Sequence, residues 1–300
     1  MPEVESLAAD PMPEESAAIP VPATKPHRSR RPRRRRSSST LALRLIAVGY
    51  IVILIVVPLA MVAQRTFAQG AGAVWERLTE ANMVHAFTVT AYAAAYAVII
   101  NTVFGIAVAL LLVRYRFPGR RLLSTFVDLP LSVSPIVAGL ALIFAYGRNG
   151  WFGPALDAAG IDVIFAFPGI VLATVFVSMP LVVREIVPVL EEIGTEQEQA
   201  ATVLGASWFQ TFRRITLPSI KWAVAYGVVL ALARSLGEFG AVKVVTAGGV
   251  AGSTQSVTSL VEERYAEFDE LSAYSASLVL AAATILCLIV ITIIRPSHQK

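Results

Sequence analysis

The chain has 300 residues, of which 56% are hydrophobic and only 15% charged, with a formal net charge of +4 and a mean hydropathy of +0.66. A soluble domain carries about 25% charged residues, so this composition excludes an ordinary water-soluble enzyme or binding module. The basic excess is not a nucleic-acid footprint either, because eight of the 25 Lys and Arg sit between Lys25 and Arg36 and the rest gather at the ends of apolar runs.

Residues 1–40 are rich in Pro, Ser, Arg and Glu and read as a disordered basic cytoplasmic tail held near anionic lipid. The core runs over residues 41–294 and a short cytoplasmic tail over 295–300. Within the core the apolar residues fall in blocks, each able to form a helix of the roughly 20 residues that cross a hydrocarbon layer about 30 Å thick. Helices are expected because lipid offers no partner to an unpaired backbone N–H or C=O.

The first span is Leu45–Ala63. It exceeds the roughly 7–15 residues of a signal-peptide apolar region, so it reads as a retained helix although Ala71-Gly72-Ala73 resembles a cleavage site. The second, Ala86–Val113, contains no Asp, Glu, Lys or Arg. The third, Leu122–Gly147, contains one acid, Asp128, and the helix-breaking run Ser132-Val133-Ser134-Pro135. That run reads as a proline kink, or as an opening whose serine hydroxyls line a passage. The fourth, Val163–Val183, carries a similar break at Ser178-Met179-Pro180 and ends beside Arg184. Asp128 and Arg184 lie at similar depths, Asp128 about 9 Å into its helix, which predicts a structural salt bridge.

The loop over residues 191–218 follows, with Pro188 and Gly194 expected to end span four. Thr195-Glu196-Gln197-Glu198 fits a capping box that starts a helix running to about Leu204, and Gly205 is placed to end it in a left-handed conformation. Ser207-Trp208-Phe209-Gln210 is a second box, opening a further short helix that Leu217-Pro218 ends. Val203, Leu204, Trp208, Phe209 and Phe212 form an apolar stripe too large for so short a loop to cover. Ala200, Ala201, Gly205 and Ala206 are small enough to let another backbone approach. Such a patch is a partner surface or an amphipathic loop lying on the bilayer or under its own spans.

Span five, Trp222–Val242, holds Arg234 and Glu238, an i,i+4 pair on one helix face. Arg234 lies about 24 Å along the helix from Pro218, towards the outer side. The pair either pins the span to its neighbours or places Arg234 where an anion passes. Span six, Leu271–Ile294, contains Cys287, the one cysteine, which reads as a packing residue. His27, His85 and His298 are scattered and suggest no metal cluster.

Positive charge orients these six spans. With the amino terminus in the cytoplasm, Arg114, Arg116, Arg120, Arg121, Arg184, Arg213, Arg214, Lys221 and Arg295 are all inside. The outer loops then hold few cations, diluted by acids such as Glu76, Glu80, Asp157 and Glu262, so both termini are expected in the cytoplasm.

The run Gln199-Ala200-Ala201, three residues, Gly205, nine residues, Ile215-Thr216-Leu217-Pro218 resembles the EAA loop of ABC importer permeases, with Gln199 in the place of that family's Glu. Asp128 to Gly139, Tyr146 to Gly150, Val183 to Pro188, Ala233 to Ala241 and Gly252 to Phe268 are similar to the CysW type of sulfate and thiosulfate permeases, the resemblance covering about Ile46 to Ile291. It implies an all-α integral membrane fold, the six-helix type I importer permease, in a bacterial cell membrane. It implies as partners ABC ATPase subunits, a second permease subunit in a heterodimer, and an extracytoplasmic sulfate-binding protein, docked outside around Ala247–Glu267. ATPase docking then falls to Glu196, Glu198, Gln199, Ala200, Ala201, Leu204, Gly205, Ala206, Ser207 and Phe209. The chain has no G-x-x-x-x-G-K-[ST] run, so the expected permease is non-catalytic, without cofactor, and its ATP and Mg belong to the partner. Another oxyanion such as molybdate, or a stand-alone secondary transporter or channel, are the other readings.

Overall fold

A computed structural model describes residues 38–246 and 254–294, with side chains for 42–246 and 254–293. The leader 1–37, the glycine-rich run 247–253 and the tail 295–300 lie outside the described residues, so the disordered-tail reading and the first part of the outer docking loop do too. The chain divides into two units, Met1–Ile51 and Val52–Lys300. The described part of the first is α1, Ser38–Ile51.

The second unit opens with a π-helical turn, Val52–Val56, then α2 (Val57–Phe67), α3 (Ala71–Leu78) and α4 (Ala81–Arg114). Next come α5 (Arg120–Ser132), α6 (Pro135–Tyr146), α7 (Gly153–Ala158), α8 (Phe167–Ile193), α9 (Glu196–Val203) and α10 (Trp208–Thr211). A second π turn, Phe212–Thr216, joins α10 to α11 (Leu217–Leu236), followed by α12 (Gly240–Val245), α13 (Val257–Ala266) and α14 (Glu270–Ile294). Five continuous helical stretches are long and apolar enough to cross a membrane: Ala42–Phe67, Ala81–Arg114, Phe167–Ile193, Trp208–Leu236 and Glu270–Ile293. The sixth is a bent pair, α5 with α6.

The centre of the unit is the parallel pair α4 and α8. Val89 and Ala93 from the first half of α4 join Ile170, Ala173 and Val177 from the first half of α8 in one apolar cluster. Val108, Ala109 and Leu112 from the second half join Val182, Val183, Ile186 and Leu190 in another. α11 runs antiparallel beside them, with Ile220, Ala223 and Ala231 in the second cluster. Close approach depends on glycine: a Cβ on Gly105 of α4 would sit 2.8 Å from Val182 Cγ1, and one on Gly227 of α11 would sit 3.1 Å from Val182 Cα. Small residues at such contacts drive helix association where lipid removes the hydrophobic incentive.

Five prolines lie in or at the start of the third and fourth spans, Pro130, Pro135, Pro168, Pro180 and Pro188, and only Pro135 sits at a break in its span. At Pro135 the chain leaves α5, passes Val133 and Ser134 in extended conformation, and re-enters a helix at 117°. This is far sharper than the kink a lone proline produces. The span still changes ends, because Val127 of α5 belongs to the cluster at the ends of α4 and α8, whereas Leu142 of α6 belongs to the cluster at their beginnings. Pro130 stays inside α5, and Pro180 and Pro188 stay inside an unbroken α8, so the expected breaks at Ser178–Pro180 and Pro188 do not occur. α8 ends at Gly194, as expected, where φ is +71°.

Gly105→Leu should lower the thermal stability of the detergent-solubilised protein, since overpacking a close-packed contact costs about 1–3 kcal/mol. Gly72→Leu, at a site with open space within 4 Å, should leave the unfolding temperature unchanged. Equal unfolding temperatures for both variants would contradict this account of the α4–α8 contact.

Candidate functional site: the docking loop and the intramembrane polar groups

The loop between α8 and α11 stands at the end of the bundle where α4 and α8 finish. Its first helix, α9, spans Glu196–Val203 and closes as predicted at Gly205, with φ +85°. The N–H of Gly205 donates to Thr202 O at 3.0 Å and that of Ala206 to Ala201 O at 3.0 Å, the paired bonds of a Schellman turn. The Ser207–Gln210 capping box forms: Ser207 N donates to Gln210 Oε1 at 2.9 Å and Gln210 N to Ser207 Oγ at 3.3 Å. Trp208 stacks on Phe212 with ring centroids 5.7 Å apart.

Two expectations fail. Thr195 makes no side-chain cap; its hydroxyl accepts from Gln199 Nε2 at 3.0 Å. Glu198, the expected N3 partner, is drawn away by a stronger claim. Arg114, at the last turn of α4, ion-pairs with it, Nε lying 2.9 Å from Oε2 and Nη2 donating to Oε1 at 3.2 Å. Arg114 Nη1 also donates to Leu190 O of α8 at 3.0 Å, and Thr216 Oγ1 donates to Glu198 Oε1 at 2.8 Å. A charge-assisted hydrogen bond within an ion pair outweighs a neutral cap. α10 is also not a separate short helix, because Trp208–Leu236 is helical throughout. Pro218 has no N–H for the carbonyl four residues back, and the ladder widens to a π turn there, Leu217 N donating to Phe212 O.

One acid of the loop is thus turned inward and the apolar residues are turned out. Val203 and Leu204 are each 87% exposed, Trp208 67% and Phe209 60%. Glu196, Gln199, Ala200, Gly205 and Ser207 share this exposed surface, while Ala201 and Ala206 are half-buried. Among the described residues, no part of the chain covers the stripe. A cavity of about 680 Å³ runs beside it, lined by Leu110, Glu198, Val203, Trp208 and Phe212 among others.

The intramembrane polar groups fall into three sets. Arg184 Nε donates to Asp128 Oδ1 at 2.8 Å, which is the expected salt bridge, both side chains remaining partly exposed. Arg234 meets Glu238 at 2.7 Å, but Glu238 lies beyond the end of α11, not within it. Its carboxylate is buried and accepts from Ala241 N at 3.0 Å at the start of α12. Ser132 and Ser134 are exposed at the α5–α6 break. The third set was not anticipated: Asn101 Nδ2 donates to Ser178 Oγ at 2.8 Å and to Val175 O at 3.2 Å, and Ser235 Oγ donates to Ser178 Oγ at 3.4 Å. All three are buried and join α4, α8 and α11. An Asn in an otherwise apolar span was the available signal, since a buried amide must find partners on a neighbouring helix.

At the opposite end, Arg264 of α13 reaches Glu80, Glu267 and Asp269 at 3.6–3.8 Å, and Arg77 reaches Glu80 at 2.8 Å. Burial pushes the Asp269 carboxyl up, but hydrogen bonds from Ser272 and the guanidinium groups of Arg77 and Arg264 outweigh it and hold it below the usual carboxylate range. With the folded value depressed, the network's contribution is complete above the unfolded pKa of about 3.9 and disappears as pH falls through the folded one. Among the described residues no group of His, Cys, Asp and Glu could hold a metal ion.

Residues 101–298 match the family described as the inner membrane component of binding-protein-dependent transport systems. The chain belongs to that family. It is 46% identical over 255 residues to the sulfate transport system permease protein CysW of Synechococcus elongatus, covering 84% of this chain and 89% of that one. It is 39% identical over 239 residues to the permease protein CysT of Salmonella typhimurium, covering 80% and 86%. A solved bacterial alginate ABC transporter, crystallised with its alginate-bound periplasmic protein, shares the fold at a TM-score of 0.70 and 18% identity, over 86% of this chain and 93% of that one. The permease is thus an all-helical, multi-pass membrane protein of the CysW type.

Arg114→Glu should destabilise the permease by about 2 kcal/mol or more, because it leaves Glu198 facing a like charge in a partly buried site. The double exchange Arg114→Glu with Glu198→Arg should recover most of that loss. A melting temperature for the double variant no higher than for the single one would show that the Arg114–Glu198 pair does not hold the loop.

Proposed function

We propose that this permease is the membrane subunit of an ATP-driven importer that carries sulfate, or thiosulfate, delivered by an extracytoplasmic binding protein. The reading rests above all on the Val203–Phe209 stripe: an apolar knob between the Gly205 turn and the Ser207 box, uncovered among the described residues, at the end of a membrane bundle. A solitary carrier or channel has no need of such a surface, whereas a permease driven by a separate motor must offer one. The substrate class comes from the similarity to CysW and CysT proteins, which are named for sulfate transport.

In this reading the docking end faces the cytoplasm and both termini lie inside. Arg114, Arg116, Arg120, Arg121, Arg213 and Arg214 cluster at that end, as the positive-inside rule requires. ATPase subunits, which hold the ATP and Mg, receive the knob in a cleft. Val203, Leu204 and Phe209 are the contact residues; Ala200, Gly205 and Ala206 permit close approach. Ser207 fixes the second helix turn. Glu196 stays free to meet a cation of the ATPase, Glu198 is an internal strut and Gln199 offers an amide in place of a carboxylate. A second permease of the CysT kind completes the pair. The binding protein docks at the opposite end, where α3, α13 and the Arg264 cluster lie. Alternating access follows when ATP-driven closure of the motor moves the two permeases' knobs and the binding protein favours one of the two states.

Leu204→Glu, introduced alone or with Val203→Glu, leaves an exposed helix end intact but places charge in the proposed interface. Co-purification of the ATPase should fall by about 30-fold, the effect of losing one interface hot spot of about 2 kcal/mol, while the permease still reaches the membrane. ATPase retention at the wild-type level, or sulfate uptake driven by an ion gradient without ATP, would defeat the reading.

A further inference from the structure

Arg234 sits deeper than its sequence position suggests. Its neighbour Ser235 donates to Ser178 Oγ at 3.4 Å, and Ser178 is the twelfth of the 27 residues in α8. The backbone of Arg234 is thus level with the middle of a crossing helix, and α11 stops two residues later at Leu236. A cationic side chain at such a depth faces the bundle interior, a partner or water, not lipid. Yet the Arg234 side chain is 38% exposed on this subunit, while its partner Glu238 is 2% exposed and turned towards the α12 backbone.

The surroundings are those of an opening. α11 is interrupted at 237–239, and the α5–α6 break lies directly against that interruption: a Cβ on Gly240 would sit 3.0 Å from Pro135 Cβ. Two crossing helices are unwound at the same place, with Ser132 and Ser134 exposed on one of them. Non-helical backbone at membrane depth is tolerated where it lines a water-filled cavity or is buried in protein.

We propose that the exposed edge of the Arg234 guanidinium lines the translocation path and holds a tetrahedral oxyanion dianion in transit at mid-membrane; this deepens, and rests on, the oxyanion-importer reading. A guanidinium carries five donors. The Glu238 carboxylate lies 2.7 Å from one guanidinium nitrogen through Oε2, while Oε1 accepts from Ala241 N, so donors remain for the passing anion. The pairing has a use beyond neutralisation. A bare buried cation would bind a dianion too tightly to release it, whereas a paired one offers directional donors with little net charge, as a site of passage requires.

The test uses the complete importer in proteoliposomes. Removing both charges together, Arg234→Gln with Glu238→Gln, leaves no unpaired buried carboxylate. Labelled sulfate uptake should fall by about tenfold or more, the loss of a charge-assisted hydrogen bond, while ATP hydrolysis stimulated by the binding protein persists. Uptake at the wild-type rate would make the pair structural and overturn the proposal. An independent arm needs no transport: Arg234→Cys with Glu238→Gln and Cys287→Ser, treated with 2-aminoethyl methanethiosulfonate. The new thiol should react from the aqueous phase, react more slowly in the presence of sulfate, and the added ammonium should restore uptake where a neutral methyl reagent does not. A thiol that stays unreactive would place Arg234 against a partner helix and sink the idea even if the importer reading stands. Conversely, a wild-type complex inert to sulfate, together with a thiol in the Arg234→Cys variant that reacts and is slowed by another oxyanion, would overturn only the choice of sulfate.

Discussion

The contact between α4 and α8 sets the positions of everything else in the permease. The two helices run parallel, so the chain must return across the membrane between them, and it does so through α5 and α6. Lipid gives no hydrophobic reward for bringing such helices together, so their association needs small residues for close approach and polar groups that have no better partner. Gly105 supplies the first at Val182, and Asn101 with Ser178 supplies the second. α11 then joins the pair at the same two levels, through Gly227 and Ser235. The docking loop hangs from the end of this three-helix unit, because Arg114, Leu190 and Thr216, one from each strand of it, converge on or around Glu198.

The prolines show how the surroundings, not the residue, decide whether a helix breaks. Pro130, Pro135, Pro180 and Pro188 each withdraw one N–H and crowd the carbonyl four residues back. In α8 the flanking residues Val177, Val182, Val183, Ile186 and Leu190 are buried against α4 and α11, and unwinding would strand backbone groups among apolar side chains. The helix therefore tolerates the lost bonds. At Pro135 the neighbouring Ser132 and Ser134 are exposed, so the freed groups have somewhere to turn, and the chain opens by 117°.

This separates what was legible in the residue pattern from what was not. The number and order of the spans, the left-handed Gly205 and the Ser207 box follow from local rules and are found where the pattern puts them, whereas the fifth span, expected over Trp222–Val242, instead runs over Trp208–Leu236 and stops before Glu238. The Asp128–Arg184 bridge was also legible, since two charges at equal depth in lipid have few alternatives. The Thr195 box had the right letters but failed, because Arg114, 84 residues before Glu198, offers the carboxylate more than a cap can. The Asn101 clasp and the meeting of two helix interruptions at Gly240 and Pro135 are likewise contacts between distant segments. Local pattern carries no information about which of several polar residues will be brought face to face.

The helix Trp208–Leu236 connects the exposed loop to the level of Arg234. Its 29 residues make a rod about 43 Å long at about 1.5 Å per residue, with the exposed Trp208 at one end and Arg234 near the other. The π turn at Phe212–Thr216 keeps it continuous where Pro218 would otherwise cut it, so in the proposed importer a displacement at the knob has an unbroken helix to travel along. Pivoting such a rod by about 10° about its docking end moves the far end by about 7 Å, more than the width of a dehydrated oxyanion. The far end is also where the rod stops, at Gly237, against the α5–α6 break. A rigid element that ends at a discontinuity can shift without dragging a continuous helix through the rest of the membrane, and two packings of that junction are the kind of bistable element that coupling between distant sites requires.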